Sequence, residues 1–265
     1  MADFKQQYGP WALVTGASSG IGAEFARQLA ARGLNLVLVA RRQERLEALG
    51  AELTTAHGVE TRALPLDLTA PDLVTPVLAA TADLELGLLI NNAGFATTGD
   101  FLDQPGETQT RMVDLACRAP VALTHALVPA MKARGRGGVI FTASLMGFGG
   151  ASWWATYNAT KGFDVLLAEG LGAELAPHGV DVLALCPGGT RTEFTDVAGA
   201  PVNSRLAQAF LMDVEPVVRT GLASLGRRRV AIPGLMNWLS VFSFRFLPRR
   251  LATFILGRIV RLLAH

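Results

Sequence analysis

A chain of 265 residues and 28.1 kDa is long enough to bury one good core, and with half its residues hydrophobic and only 17% charged it is no disordered polypeptide. The net charge of +2 hides an asymmetry: from Arg227 onward there are eight arginines and no acidic residue, so residues 1–226 carry about −6. Cys117 and Cys186 lie far apart with no CxxC pair, which argues against a disulfide framework or zinc site and suits a reducing compartment. The opening Met1-Ala-Asp-Phe-Lys-Gln-Gln has no apolar run after its basic residue, so no secretory leader is expected and a cytoplasmic location is.

Apolar runs alternate with helix-length segments along the chain. Residues 11–15 predict a strand, and 20–31 a helix with Ile21, Phe25 and Leu29 at four-residue spacing. Residues 35–40 are apolar on both parities, the pattern of a central parallel strand. A helix follows over 43–57 with Gly58 as its stop, then a strand over 60–66, a helix over 71–82 and a strand over 87–91. Residues 106–134 predict a long helical stretch in which Pro120 and Pro129 act as kinks or breaks. The series closes with a strand over 138–143, a helix over 153–176, a strand over 180–185 and a short edge strand over 229–232. Strands separated by helical crossovers predict an α/β fold of the Rossmann type, a doubly wound parallel sheet of about seven strands with helices on both faces. No linker or repeat interrupts it, so residues 1–265 are expected to form one dinucleotide-binding domain. Within it, 190–226 is expected to be a mobile substrate region and 234–265 a basic, apolar helical extension.

Gly16, Gly20 and Gly22 sit between the first strand and the first helix, in Thr15-Gly-Ala-Ser-Ser-Gly-Ile-Gly22. Glycine lets a backbone turn sharply and approach a pyrophosphate, whose charge a helix N-terminus favours. Ser18, Ser19 and Ile21 belong to the same candidate cofactor loop. The spacing is G-x-x-x-G-x-G and differs from the common G-x-G-x-x-G fingerprint, so by itself it is also compatible with an ordinary strand-to-helix turn. After the second strand, where an acidic residue would hold the ribose of NAD, stand Arg41 and Arg42. Guanidiniums suit a 2′-phosphate, which points to NADP(H), although either arginine could simply begin a solvated helix face. Asp67, followed by Leu68, could accept from the adenine amino group or serve as a turn-capping residue.

Tyr157 and Lys161 are four residues apart in a predicted helix, hence one turn apart on one face. A phenol titrates near ~10 in model peptides, too high for acid–base work at neutral pH, and a neighbouring ammonium is expected to pull it down. Ser144, thirteen residues upstream, offers a hydroxyl to orient a carbonyl oxygen.

Taken in order, Thr15-Gly16…Gly20-Ile-Gly22, Asn91-Asn-Ala-Gly94, Ser144, Tyr157-x-x-x-Lys161 and Cys186-Pro-Gly188 resemble the classical short-chain dehydrogenases/reductases, closely from residue 11 to about 195. The resemblance implies an NADP-dependent carbonyl reductase or alcohol dehydrogenase that works as a homodimer or homotetramer. By the same resemblance, Tyr157 is the acid in reduction and the base in oxidation, Lys161 lowers its pKa and binds the nicotinamide ribose, and Ser144 orients the carbonyl. Asn92, Ala93 and Gly94 line the cofactor groove, while Pro187, Gly188, Thr190 and Thr192 cover the nicotinamide end.

One position departs from the pattern. Where the family carries an asparagine in a phrase like Asp-Leu-Asn-x-x-Ala-Pro, this chain has Asp114-Leu-Ala116-Cys-Arg-Ala-Pro120. Alanine cannot make that side chain's hydrogen bonds. The departure keeps two alternatives open: a cofactor-binding protein with weak or no redox activity, and a non-redox lyase or isomerase using Tyr157 as base.

Trp153 and Trp154, with Phe95, Leu145, Met146 and Phe148, predict an apolar substrate pocket for a hydrophobic ketone or alcohol such as a steroid, a long-chain acyl ketone or an aryl ketone. His57, His125, His178 and His265 are scattered without ligand spacing, so no metal is expected, nor a nucleic-acid partner. The arginine-bearing tail is too interrupted to span a bilayer. It reads either as a flap over the pocket or an oligomer contact, or as an anchor on an anionic membrane surface.

Overall fold

The first strand, β1 (Trp11–Thr15), is buried along its whole length because its two faces serve two different cores. Ala12 and Val14 enter one, Trp11 and Leu13 the other. The same division runs through β2 (Asn35–Ala40), where Leu36 and Leu38 oppose Val37 and Val39. A strand covered on both faces cannot show polar alternation, and this is why the second run is continuously apolar. These observations come from a computed structural model that describes residues 4–194, 198–199, 208, 211–244 and 246–264, without the side chains of 262–264.

Five more strands complete the sheet: β3 (Thr61–Pro65), β4 (Leu86–Asn91), β5 (Gly137–Thr142), β6 (Val180–Leu185) and β7 (Val230–Ala231). All pair in parallel, in the order β3-β2-β1-β4-β5-β6-β7. After a short α1 (Phe4–Tyr8), the first face is covered by α2 (Gly20–Ala30) and α3 (Gln43–His57), through Phe25, Leu29, Leu46 and Leu53. The opposite face is covered by α4 (Val74–Thr81) and by a long helical rod described below. Each fully buried Leu or Phe contributes about 1.5–3 kcal/mol relative to exposure. The winding leaves β1 toward β2 and β3, then returns to β4 on the other side. The carboxyl ends of β1 and β4 therefore flank the crevice in which such sheets bind ligands.

The predicted 106–134 stretch is helical throughout but not uniform. It comprises α5 (Gly106–Val113), a π-turn over Asp114–Arg118 and α6 (Ala119–Arg134). The Ala119 N–H reaches back five residues to the Asp114 carbonyl, and Pro120, which has no N–H to donate, follows at once. Pro129 is absorbed within α6. The next helix, α7 (Ala155–Leu175), starts two residues later than predicted because Trp153 has φ +70°, outside the helical region.

Of the 190–226 stretch, residues 195–197, 200–207 and 209–210 lie outside the described residues. Its last part is an ordered helix, α8 (Val214–Ser224), whose Val217, Val218 and Leu222 join the core beneath α2 and α3. The tail divides into α9 (Leu235–Phe244) and α10 (Arg249–Ala264). Val241 is the one buried residue along α9, whereas α10 buries Leu256 and Val260 in a small cluster with Tyr157. No helix among the described residues is long and apolar enough to cross a membrane.

Candidate active site

Loops leaving the carboxyl ends of β1, β4, β5 and β6 surround one cavity of about 530 Å³, a size suited to a cofactor with a small molecule. Thr15, the last residue of β1, knits its floor. Its hydroxyl accepts from the backbone N–H groups of Asn92 (2.8 Å) and Ala93 (3.0 Å) and donates to the Ile90 carbonyl (3.1 Å). The Asn92 side chain donates to the Thr15 carbonyl at 2.9 Å, so it ties the two central strand ends together.

The glycine loop is fitted to a backbone approach. Gly16 has φ +67° and Gly20 φ +54°, and a Cβ on Gly16 would stand 2.9 Å from the Asn92 amide nitrogen. Gly16, Ser18, Ser19, Gly20 and Ile21 line the cavity. Gly22 does not: it faces the Gly16 carbonyl so closely that a Cβ would collide with it, and its place is to let α2 pack against the loop. This cradle, filled by any added side chain, fits a dinucleotide's phosphates held at the start of α2.

Farther along, Arg41, Arg42, Asp67 and Leu68 line the cavity. The Arg42 guanidinium donates to Ser18 Oγ (3.0 Å) and Ser19 Oγ (2.9 Å) and pairs with Glu193 (3.1 Å), which also pairs with Arg45 (2.8 Å). Asp67 spends one oxygen on the Thr69 N–H (2.9 Å) and hydroxyl (2.8 Å) and turns the other toward Arg111 (3.4 Å). Partial burial works against ionisation of Asp67, but these hydrogen bonds and the Arg111 charge hold its pKa below the usual carboxylate value. Asn92, Ala93, Gly94, Pro187, Gly188, Thr190 and Thr192 complete the lining beside Tyr157 and Lys161.

At the far wall Ser144, Tyr157 and Lys161 converge, all buried. Ser144 ends extended backbone and caps a single 3₁₀ turn, accepting from the Met146 N–H at 3.1 Å. Its hydroxyl donates to the Pro187 carbonyl at 3.5 Å. Lys161, one turn along α7, donates to the Thr142 carbonyl (2.7 Å) and to the Asp164 carboxylate (3.0 Å). The Tyr157 ring is wedged edge-on against Trp154 (centroids 5.3 Å apart) and near Phe194 (5.5 Å).

The electrostatics depart from the expectation for Tyr157. Burial pushes its pKa above the ordinary phenol value, and Lys161 and Ser144, both pulling downward, do not overcome it. Burial works against the Lys161 ammonium too, yet the adjacent Asp164 carboxylate and Tyr157 outweigh it and leave the lysine holding its proton more tightly than usual. Burial also raises the Asp164 carboxyl above its ordinary value, against the pull of Lys161, so Tyr157 sits beside a lysine–carboxylate pair where the sequence suggested a phenol beside a lone cation.

Of the predicted pocket residues, Phe95, Leu145, Met146 and Trp154 line the cavity. Trp153 does not, because its left-handed backbone turns the ring toward Asp100 (Nε1 to Oδ1 3.1 Å) and beneath Arg261 (5.1 Å to the ring centroid). It lines only a small adjoining hollow. Phe148 is exposed at the surface. Residues unforeseen from the sequence include Leu115, Phe194, Leu211 and Ile259 in the cavity wall, and Asp164 behind Lys161. The spacing of Asp164, three after Lys161 on one helix, could have disclosed it; nothing local to Ile259 could have. Of the scattered histidines, His265 lies outside the described residues.

Comparison with known proteins supplies the family. The profile of the short chain dehydrogenases matches residues 10–202. A 7beta-hydroxysteroid dehydrogenase of Collinsella aerofaciens is 30% identical, over 92% of this chain and 93% of its own. Among solved structures, a short-chain dehydrogenase from Sphingobium yanoikuyae in complex with NADPH superposes with a TM-score of 0.80 at 39% identity, over 89% of this chain and 94% of that one. The bulky-bulky ketone specific alcohol dehydrogenase from Comamonas testosteroni gives a TM-score of 0.76 at 34% identity, over 90% and 92%. By its strand order, its glycine cradle and these matches, the chain belongs to the short-chain dehydrogenase family.

Proposed function

We propose that the protein is an NADP(H)-dependent oxidoreductase that interconverts a hydrophobic ketone and its secondary alcohol, with Tyr157 as general acid and base. The observation that carries this is the meeting of Ser144, Tyr157 and Lys161 at one end of a cavity whose other end is the glycine cradle and the Arg41–Arg42 pair. The nicotinamide, when bound, supplies or accepts a hydride. In reduction Ser144 holds the carbonyl oxygen, the Tyr157 phenol gives that oxygen its proton, and the Lys161 ammonium stabilises the resulting phenolate. In oxidation Tyr157 takes the alcohol's proton instead. Arg41 and Arg42 provide positive charge for a 2′-phosphate, with Ser18 and Ser19 as further donors. The NADPH bound by the Sphingobium relative supports the same cofactor here. Phe95, Trp154, Phe194 and Ile259 give the reacting end apolar walls, which supports a bulky, hydrophobic substrate.

Following NADPH absorbance with a panel of apolar ketones tests the proposal: cofactor oxidation matched by alcohol formation is expected. Two other readings rest on Ala116, buried in the π-turn without a polar side chain. Tight NADPH binding without turnover would favour a binding protein, and product without net absorbance change a lyase or isomerase. Replacing Ala116 with Asn is expected to raise turnover.

The tail supports a further contact, beside the homodimer or homotetramer proposed by family likeness and the cytoplasmic location. Trp238 and Phe242 stack on α9 at 5.2 Å, Phe246 just beyond the helix meets Phe242 edge-on at 5.2 Å, and all three are exposed, as are Leu235 and Met236. Exposed aromatics next to an arginine-only segment suit an anionic membrane surface. Flotation with anionic against neutral liposomes tests this, and equal absence from both sinks it.

A further inference from the structure

Asp164 has no part in the chemistry above, yet its carboxylate is paired directly with Lys161. Its side chain is 5% exposed and its Oδ2 lies 3.0 Å from Lys161 Nζ, whose own side chain is 8% exposed. An isolated carboxylate is costly to bury, and one placed against an ammonium screens that ammonium's field at every other group nearby. Lys161 is also fixed from β5 by the Thr142 carbonyl at 2.7 Å, so the ammonium is held between helix and sheet. The other titratable groups facing the pair are Tyr157 on the same helix, Cys117 on the π-turn and Cys186 after β6, with Glu169 contributing at Cys186. Burial holds both thiols neutral, Cys117 at about 11 and Cys186 at about 12. Among the described residues, the cation that acts on Tyr157 is Lys161, already paired.

We infer that Asp164 is a positioning residue for the catalytic pair: its carboxylate pins the Lys161 ammonium and cancels part of the positive charge that Tyr157 would otherwise feel, keeping the phenol loaded with its proton and biasing the site toward reduction. This rests on the assignment of Tyr157 as acid and base, but its test can be made without turnover. The chain has only two tyrosines, Tyr8 and Tyr157. Tyr8 donates to Asp181 at 2.7 Å, and burial together with that bond raises its pKa as well, so the titration is read in a Tyr8→Phe background, where Tyr157 is the one phenol left. Phenolate absorbance after a rapid alkaline pH jump then reports Tyr157, and far-ultraviolet circular dichroism recorded in parallel marks unfolding. Asp164→Asn keeps an acceptor for Lys161 and removes the charge, and should lower the Tyr157 titration. The oxidation rate against pH should move down with it, while NADPH affinity stays as in the unmodified protein.

An unchanged or raised phenol titration in folded Asp164→Asn overturns the inference. A shifted titration in a protein inactive on every ketone sustains it and removes the proposed function instead. Should the variant not fold, carbon-13 spectra of the unmodified protein with labelled aspartate decide: an ionised Asp164 through neutral pH is expected, and a protonated one overturns the inference.

Discussion

The N-terminal two thirds of the chain and its last seventy residues contribute to one cavity by different means. From β1 to β6, each cofactor-lining segment is a short loop fixed by the strand before it, as Thr15 shows when one hydroxyl satisfies two N–H groups of the 92–93 turn. The tail instead reaches the site by packing across it: Asn237 at the start of α9 lies against Gly188, and Leu256 and Val260 of α10 share a cluster with Tyr157. The contrast suggests that chemistry and cofactor are set by the sheet, and substrate shape by the tail.

The sheet half should be brittle. Tyr157→Phe removes the proton donor and leaves the ring between Trp154 and Phe194, so kcat should fall about 10²–10⁴-fold with unchanged melting temperature. Survival of normal turnover would break the division at its strongest point. Gly22→Val puts a side chain against the Gly16 carbonyl, where backbone has nowhere to go. A loss of about 1–3 kcal/mol in denaturant unfolding is expected, together with loss of NADPH binding by fluorescence.

The pH dependence follows from the direction of the Tyr157 shift. Burial raises its pKa, so the protonated acid persists through neutral pH and is lost only as pH rises into the alkaline range. Reduction should therefore stay level across neutral pH and fall at alkaline pH, while oxidation, which needs the phenolate, climbs over the same interval. An acidic limb in reduction that Tyr157→Phe retains would assign the titration to another group.

How much of this the sequence discloses depends on how local each cause is. The strands were legible because double-sided burial writes unbroken apolar runs such as 35–40, and the meeting of Ser144, Tyr157 and Lys161 because one helix and the short loop that leads to it from β5 carry all three. Arg41 and Arg42 were legible by position, but the Arg42 contacts to Ser18, Ser19 and Glu193 were not, since Glu193 is 151 residues away. Trp153 misled because adjacency to Trp154 says nothing of a left-handed backbone that sends the two rings different ways. The sign at Tyr157 was misjudged because a lysine four residues away is visible in sequence, whereas the depth of burial is not. Ile259 and Phe194 enter the cavity only through tertiary packing, so no local pattern marks them.

Within the sheet half, a middling effect is expected at Arg41 and Arg42, the proposed 2′-phosphate site. Arg41→Ala with Arg42→Ala removes two guanidiniums at about 1.5–3 kcal/mol for each charge-assisted bond, so NADPH affinity should drop at least tenfold while NADH affinity holds. Equal losses for both cofactors would mean that the pair orders the loop through Ser18 and Ser19 and does not read the phosphate.

The smallest expected effect is at the tail, and it separates the halves most sharply. Deleting residues 248–265 removes Leu256, Ile259 and Val260 from beside Tyr157 but touches neither the glycine cradle nor the Arg41–Arg42 pair. If the tail only shapes the substrate end, KM for a bulky ketone should rise about tenfold, a change near 1.4 kcal/mol, while NADPH affinity stays within about twofold. For a small ketone that never reaches α10, KM should hardly move. A loss of NADPH affinity would instead mean that α10, through the buried Leu256 against Gly149, braces the Ser144 loop and the catalytic helix, and the two halves would then be one mechanical unit.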